Sequence, residues 1–303
     1  VIKNFGADIL RLWVVASDYS EDLKIDKAIL NQHAESYRKI RNTLRFLLGN
    51  LNDKLLNDDF SKIEYSKLSS LEKYILTQVY DFDLRFRDYI KSYNFHKIYI
   101  ELLNFCTLDL SAFYFDIKKD ILYCDSENSQ RRNNCLEILN VLINFLLKWF
   151  SPILAFTSEE AYQVIKNKKY KSIHLQDFPV IPLMWNNSEI KNKWIGIKKV
   201  KQVVNAAIED IRNKKIIGSS LEANVIVYLK DEYLNIIKQE DLSEIFICSE
   251  AKAESFINQN DLFSLKDVEG VAVKILKAKG QKCSRCWKIL EKPCSRDICG
   301  LKN

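Results

Sequence analysis

The residues best suited to chemistry lie at the end of the chain, in Lys282-Cys283-Ser284-Arg285-Cys286-Trp287 and Pro293-Cys294-Ser295-Arg296-Asp297-Ile298-Cys299-Gly300. Cys283 and Cys286 make a Cys-x2-Cys knuckle, a spacing that turns two thiolates toward one metal while backbone amides support the sulfurs. Cys294 and Cys299 form a second, wider-spaced pair within reach of the tetrahedral site that zinc prefers. A redox dithiol and a disulfide are the alternatives. The first lacks a thioredoxin-like βαβ setting, and the second needs an oxidising compartment. The expected ion is one structural zinc on Cys283, Cys286, Cys294 and Cys299, folding a ribbon too small to own a core. Arg285 and Trp287 flank Cys286, where a rigid knuckle could offer them to an unstacked base. Alternatively, Trp287 caps the ribbon's own small core.

Charge points the same way. From Val271 to Asn303 there are nine Lys/Arg against two acids, whereas the whole chain of 303 residues has a formal net charge of +6. The entire excess therefore sits beside the cysteine cluster, as expected for a polyanion binder; a solvated tail is the plainer reading. Nearby lysines would also offset the charge of four thiolates. The remaining cysteines, Cys106, Cys124, Cys135 and Cys248, are scattered singly. Without a signal peptide they read as reduced thiols of a cytoplasmic protein, and Cys106 and Cys135 lie in apolar helical patterns suited to packing.

The elements that must position these residues are mostly helical. Gly (7) and Pro (4) are scarce among 47% hydrophobic residues, and the apolar positions recur at helical spacing. Helices are expected over Ile2–Ala16, Ala28–Leu51, Ser70–Tyr93, Phe95–Leu108 with a short one from Ser111, and Asn133–Trp149. Ser151-Pro152 reads as an N-cap with proline at the first helical position, opening a helix to Ile165. Such helices with short links make a bundle. Arg38, Arg41 and Arg45, at i, i+3 and i+7, fall within about 60° on one helix. They form a ridge able to grip phosphates or a base edge, unless it pairs with local acids such as Glu35. After an extended stretch, His174–Pro179, a helix is expected over Glu189–Arg212. Strand-like runs follow at Asn224–Leu229, Glu244–Cys248 and Val271–Leu276. No window offers about 18 uninterrupted apolar residues, so no membrane span is expected. The start at Val1, without a leader, suggests a piece of a longer protein.

Several blocks resemble one family. Gly6-Ala7-Asp8-Ile9-Leu10-Arg11-Leu12-Trp13 with Asp18-Tyr19 resembles the segment after the ATP-site signature loop of class I synthetases for branched amino acids. Tyr37–Leu51, Phe105–Tyr114 with Asp116, Lys119 and Asp120, Ser151–Thr157, Gly218–Ala223 and the Lys282–Trp287 knuckle are similar to bacterial-type isoleucyl-tRNA synthetases. The blocks keep their order over nearly the whole chain. The family's ribbon commonly ends in a second Cys-x2-Cys, and here the spacing is x4, which puts Cys294 and Cys299 in doubt as ligands.

The resemblance implies a mainly α protein: an anticodon-binding helix bundle, then a small α/β unit and a C-terminal zinc ribbon. The implied domains are a connector to the catalytic domain (1–26), the bundle (27–170), a linker (171–188), the α/β domain (189–279) and the ribbon (280–303). It also implies a tRNA-recognition module of a cytoplasmic, monomeric enzyme that uses ATP to attach isoleucine to its tRNA. Arg38, Arg41, Arg45, Arg285 and Trp287 are the expected RNA contacts; neither DNA nor membrane is an expected partner. The His-x-Gly-His and Lys-Met-Ser-Lys-Ser signatures are absent from this sequence, so ATP belongs to a missing catalytic part and the piece alone should not aminoacylate. A valine, leucine or methionine enzyme, or a free-standing zinc-ribbon nucleic-acid binder, is the alternative.

Overall fold

The computed structural model describes residues 1–51, 59–166, 168–257, 261–296 and 299. The expected ribbon's last residues, 300–303, and Asp297 and Ile298 lie outside them. The chain forms two compact units.

The first unit comprises Val1–Asp116 and Asn133–Asn186. Its helices begin with α1 (Ile2–Phe5) and α2 (Ala7–Ala16), where one continuous helix was expected. Gly6, with φ 84°, breaks them apart in a conformation that L side chains rarely adopt. Then come α3 (Lys27–Asn50), opened by the Asp26 cap on the Ile29 amide, and α4 (Ser70–Lys91), opened by a Ser69/Glu72 capping box.

The next helix corrects the sequence reading. Instead of one helix ending at Leu108 and a new one at Ser111, α5 (Phe95–Asn104) runs through a π-helical stretch, Phe105–Phe115, into α6 (Asp116–Cys124). The wider π turn packs the dense aromatic run without a break: Phe105, Cys106, Leu110, Phe113, Tyr114 and Phe115 are all buried. By length and composition this continuous helix could cross a membrane, with a mean hydropathy of 1.2 over its best window. Ile98, Leu102, Phe105, Leu110, Phe113 and Phe115 on it are buried inside the protein, whereas Ile100 and Leu108 are exposed. Helix α7 (Gln130–Phe150) supplies the centre of the bundle core. Trp149 is fully buried against Phe82, Phe86, Phe105 and Phe145, and its indole donates to Asp83 at 2.9 Å. Trp185 closes the same unit against Phe60 and Phe145.

Helix α8 (Ala155–Val164) also departs from expectation, because Ser151-Pro152 forms a turn before it. The cap comes from far away. The buried Asp8 carboxylate accepts from the Phe156 and Thr157 amides at 3.3 and 2.7 Å and from the Thr157 hydroxyl at 2.6 Å. Arg11 donates to the Ile153 and Pro152 carbonyls, so α2 satisfies both ends of that turn.

The second unit comprises Ile117–Arg132 and Asn187–Asn303. Helix α9 (Ser188–Asn213) lies against a three-stranded sheet of order β2-β1-β3. Strand β1 (Ala223–Leu229) is followed by α10 (Asp231–Ile237) and α11 (Leu242–Ile245). Strand β2 (Glu250–Ser255) then returns parallel to β1, and β3 (Val271–Lys277) pairs antiparallel to it. The expected strand at Glu244–Cys248 is thus a helix end and turn. Asp241 caps the Glu244 amide at 3.0 Å, and Ile247 takes the left-handed conformation, φ 55°. A local cap outweighs β propensity over a run this short. A small hairpin, β4 (Gln281–Lys282) with β5 (Ile289–Leu290), carries the knuckle.

Candidate metal centre and nucleic-acid surface

The hairpin explains why Cys283 and Cys286 face the same point. The Cys283 amide donates to the Lys288 carbonyl at 2.9 Å and the Trp287 amide to the Cys283 carbonyl at 3.0 Å, which closes a tight turn around both sulfurs. Gly280, φ 119°, precedes it. A Cβ there would sit 2.1 Å from the Leu290 carbonyl oxygen, so the hairpin needs glycine. The Ile289 amide donates to Ser249 Oγ at 2.7 Å, which ties the hairpin to the start of β2.

Four sulfurs converge. Cys283, Cys286, Cys294 and Cys299 have all their Sγ atoms within 4.8 Å of one another, and Cys286 and Cys294 are 4.0 Å apart. Tetrahedral zinc at about 2.3 Å from each sulfur needs sulfurs about 3.8 Å apart, so the donor set fits such an ion with little movement. The wide Cys294-x4-Cys299 spacing does not keep either sulfur out of the cluster. These four cysteines could hold a metal ion. Burial drives Cys286 up to about 12 and Cys299 upward as well. For Cys283, burial is overcome by the Cys286 and Arg285 amides and neighbouring thiols, which bring it down to about 7. A cation among four such sulfurs would deprotonate them outright.

The ribbon is clasped to α6 by residues that sequence reasoning did not connect with it. Arg296 donates in bidentate fashion to Asp120, at 2.7 and 2.6 Å, and its Nε lies 3.5 Å from Asp125. Burial of Asp120 is outweighed by Arg296, so its carboxyl titrates below the usual range. Arg285 donates through Nε and Nη2 to the Tyr123 carbonyl at 3.2 and 2.8 Å. It thereby satisfies a carbonyl in the last turn of α6, where helices favour cations. Below this clasp, Glu244 accepts from buried Lys118 at 3.0 Å and from Arg131 at 2.7 Å. Asp120 belonged to a recognisable block, but no spacing signal joins it to an arginine so distant in sequence.

The five residues expected to touch RNA fall in different situations. Trp287 is 60% exposed, with the Lys282 ammonium 5.9 Å from its ring centroid; it does not cap a ribbon core. Its φ of 62° is left-handed, rare for a bulky residue. Arg285 is exposed but engaged with α6. On α3, Arg38 pairs with Glu35, the local acid that the plainer reading anticipated. Arg41 is bidentate to Glu160, at 2.7 and 2.9 Å, and also donates to the Tyr37 hydroxyl. Arg45 and Arg41 line an open groove of about 320 Å³ with Leu44, Leu48 and Val164.

A mainly helical unit with an arginine ridge, a mixed sheet and a four-cysteine ribbon define a class that comparison with known proteins makes specific. Residues 72–229, more than half of the chain, match the family model described as the anticodon-binding domain of tRNA ligase, and the chain belongs to that family. Within it, the chain is similar to isoleucine–tRNA ligases. It is 49% identical to that of Pelagibacter ubique over 98% of this chain and 32% of the relative. It is 41% identical to that of Agrobacterium fabrum over 95% of this chain and 30% of the relative, and 40% identical to that of Bartonella henselae over 95% and 29%. The chain thus spans about a third of the length of the curated relatives it matches.

Proposed function

We propose that the chain is the part of an isoleucine–tRNA ligase that reads the tRNA anticodon, and that it does no chemistry itself. Similarity to isoleucine–tRNA ligases along 98% of the chain carries this reading. The parent enzyme attaches isoleucine to its tRNA with ATP, in the cytoplasm and as a monomer, in parts of the protein outside this third. Residues 27–170 carry the anticodon-binding bundle, after a connector at 1–26, with Ile117–Arg132 within that range belonging to the second unit. Residues 171–188 link it to the α/β domain at 189–279, and 280–303 form the zinc ribbon.

In this reading Cys283, Cys286, Cys294 and Cys299 hold one structural zinc ion, which the convergence of their four sulfurs supports. Arg38, Arg41, Arg45, Arg285 and Trp287 contact RNA. Trp287 offers an open indole face for base stacking, with Lys282 beside it for a phosphate. Arg45 stands at a groove rimmed by apolar side chains, a setting that suits a splayed base. Arg38 and Arg41 exchange their exposed carboxylate partners for phosphates at small cost, since surface ion pairs contribute only about 0–1 kcal/mol.

The test is binding of isoleucine tRNA and valine tRNA to the purified chain at one fixed salt concentration, with and without a zinc chelator. Salt is fixed because phosphate contacts dominate affinity. Preference for isoleucine tRNA that collapses on chelation is the expected result. Equal binding of both tRNAs, unaffected by chelation, would reduce the basic end to a nonspecific polyanion patch and remove Arg285 and Trp287 from the interface.

A further inference from the structure

We infer that Cys124 is a fifth thiol of the metal centre, a reserve ligand that replaces a lost cysteine of its C-terminal half. The inference rests on the metal reading above and goes beyond it, because Cys124 lies far from the other four cysteines in sequence and outside the ribbon. Cys124 is the last residue of α6 and only 5% exposed. It shares one buried cluster with Cys286 and Cys299, against which Cys283 and Cys294 pack. Its sulfur lies 4.0 Å from the Arg285 carbonyl, inside the knuckle.

The surrounding contacts hold it there. Arg296, between the two C-terminal cysteines, grips Asp120 and Asp125, one on each side of Cys124. Arg285, between the two knuckle cysteines, grips the carbonyl of Tyr123. The segments that carry the four sulfurs are therefore fastened to the residues that bracket the fifth. Cys106, Cys135 and Cys248 are also buried thiols, but they stand outside this cluster among the described residues.

Ligand exchange at such a centre needs no redox chemistry. A d¹⁰ ion has no electronic preference among equivalent sulfurs. In a chain lacking Cys294 or Cys299 the vacant position would be held by water; that metal–oxygen bond would break as the bond to Cys124 forms, and the thiol proton would pass to solvent. With all four cysteines present Cys124 stays a packed thiol. When Cys299 or Cys294 is missing, its sulfur would supply the fourth donor.

Cobalt(II) titration of the 303-residue chain tests this, because thiolate-to-cobalt absorption reports how many sulfurs bind. Cys299→Ala and Cys124→Ala should each keep the full intensity per bound ion. The double variant should lose about a quarter of it, one ligand of four. A quarter lost in Cys299→Ala alone, with no further change on adding Cys124→Ala, overturns the proposal. Cys294→Ala gives the same comparison should Cys299→Ala not fold. No thiolate absorption in the unaltered chain would instead overturn the metal reading itself, and this inference with it.

Discussion

Trp287 combines two properties that a stability argument alone would keep apart, exposure to water and a left-handed backbone. Glycine occupies that conformation without strain, while a bulky residue there costs on the order of 1–3 kcal/mol. Trp287→Gly should therefore hold metal at least as tightly as the parent, measured by competition with a chromogenic chelator. The same variant should lose about 1–3 kcal/mol of tRNA affinity, the worth of one stacked base. Unchanged tRNA affinity would leave the indole without a role. Asp120 is a second residue with a definite expectation. Asp120→Asn leaves Arg296 partly buried without its bidentate partner, which should cost about 1–3 kcal/mol in urea unfolding. Gly280→Ala forces a Cβ onto the Leu290 carbonyl and should weaken metal binding outright. These residues also mark how far the sequence could be read. Cys283 and Cys286 were legible from their spacing, whereas Cys294 and Cys299 join them only once the fold brings the four sulfurs within 4.8 Å of one another. The partnership of Arg296 with Asp120, and the position of Cys124, depend on folding that brings residues more than 160 positions apart together.

At the scale of elements, the long helices were legible because their apolar stripes repeat over many turns. Helices α3, α4, α7 and α9 lie within a few residues of their expected ends. Short elements were not. Ser151-Pro152 carries a sound N-cap signal, yet α8 begins three residues later because Asp8 supplies its cap from another helix. Glu244–Cys248 has strand composition, but the Asp241 cap turns it into a helical end. The π-helical stretch has no signature in periodicity analysed at the α-helical repeat. The remote cap has its own consequence. Asp8→Ala removes the partner of two amides and one buried hydroxyl, and should destabilise the first unit by about 1–2 kcal/mol. Thermal unfolding followed by circular dichroism checks this; a midpoint unchanged from the parent would mean that water replaces the carboxylate.

At the scale of the whole molecule, the division into two units does not follow the order of the chain. Ile117–Arg132 lies between two segments of the first unit but belongs to the second. Composition and linker residues cannot reveal such an insertion, since nothing local marks either crossing. The arrangement predicts where metal loss is felt. On chelation, amide hydrogen exchange should rise in the ribbon and also in Ile117–Asp125, which the ribbon clasps through Arg285 and Arg296. Amides of α3 and α4 should keep their protection. A rise confined to the ribbon would mean that the clasp persists without metal, and a uniform rise that the two units melt together.

The interleaved order also sets a schedule for synthesis. Arg132 leaves the ribosome more than fifty residues before Asn187 and more than 160 before Arg296. At roughly 5–20 residues per second, the end of α6 waits on the order of ten seconds or longer for its last partner. Over that interval Cys124 lacks the ribbon cysteines it later packs against. A message cut short before Arg296 would release a chain in which Asp120 never meets Arg296 and Cys124 never packs against Cys299. Arg296 and Cys299 thus act as a late seal on the end of α6, closing over Asp120 and Cys124 long after those residues are made.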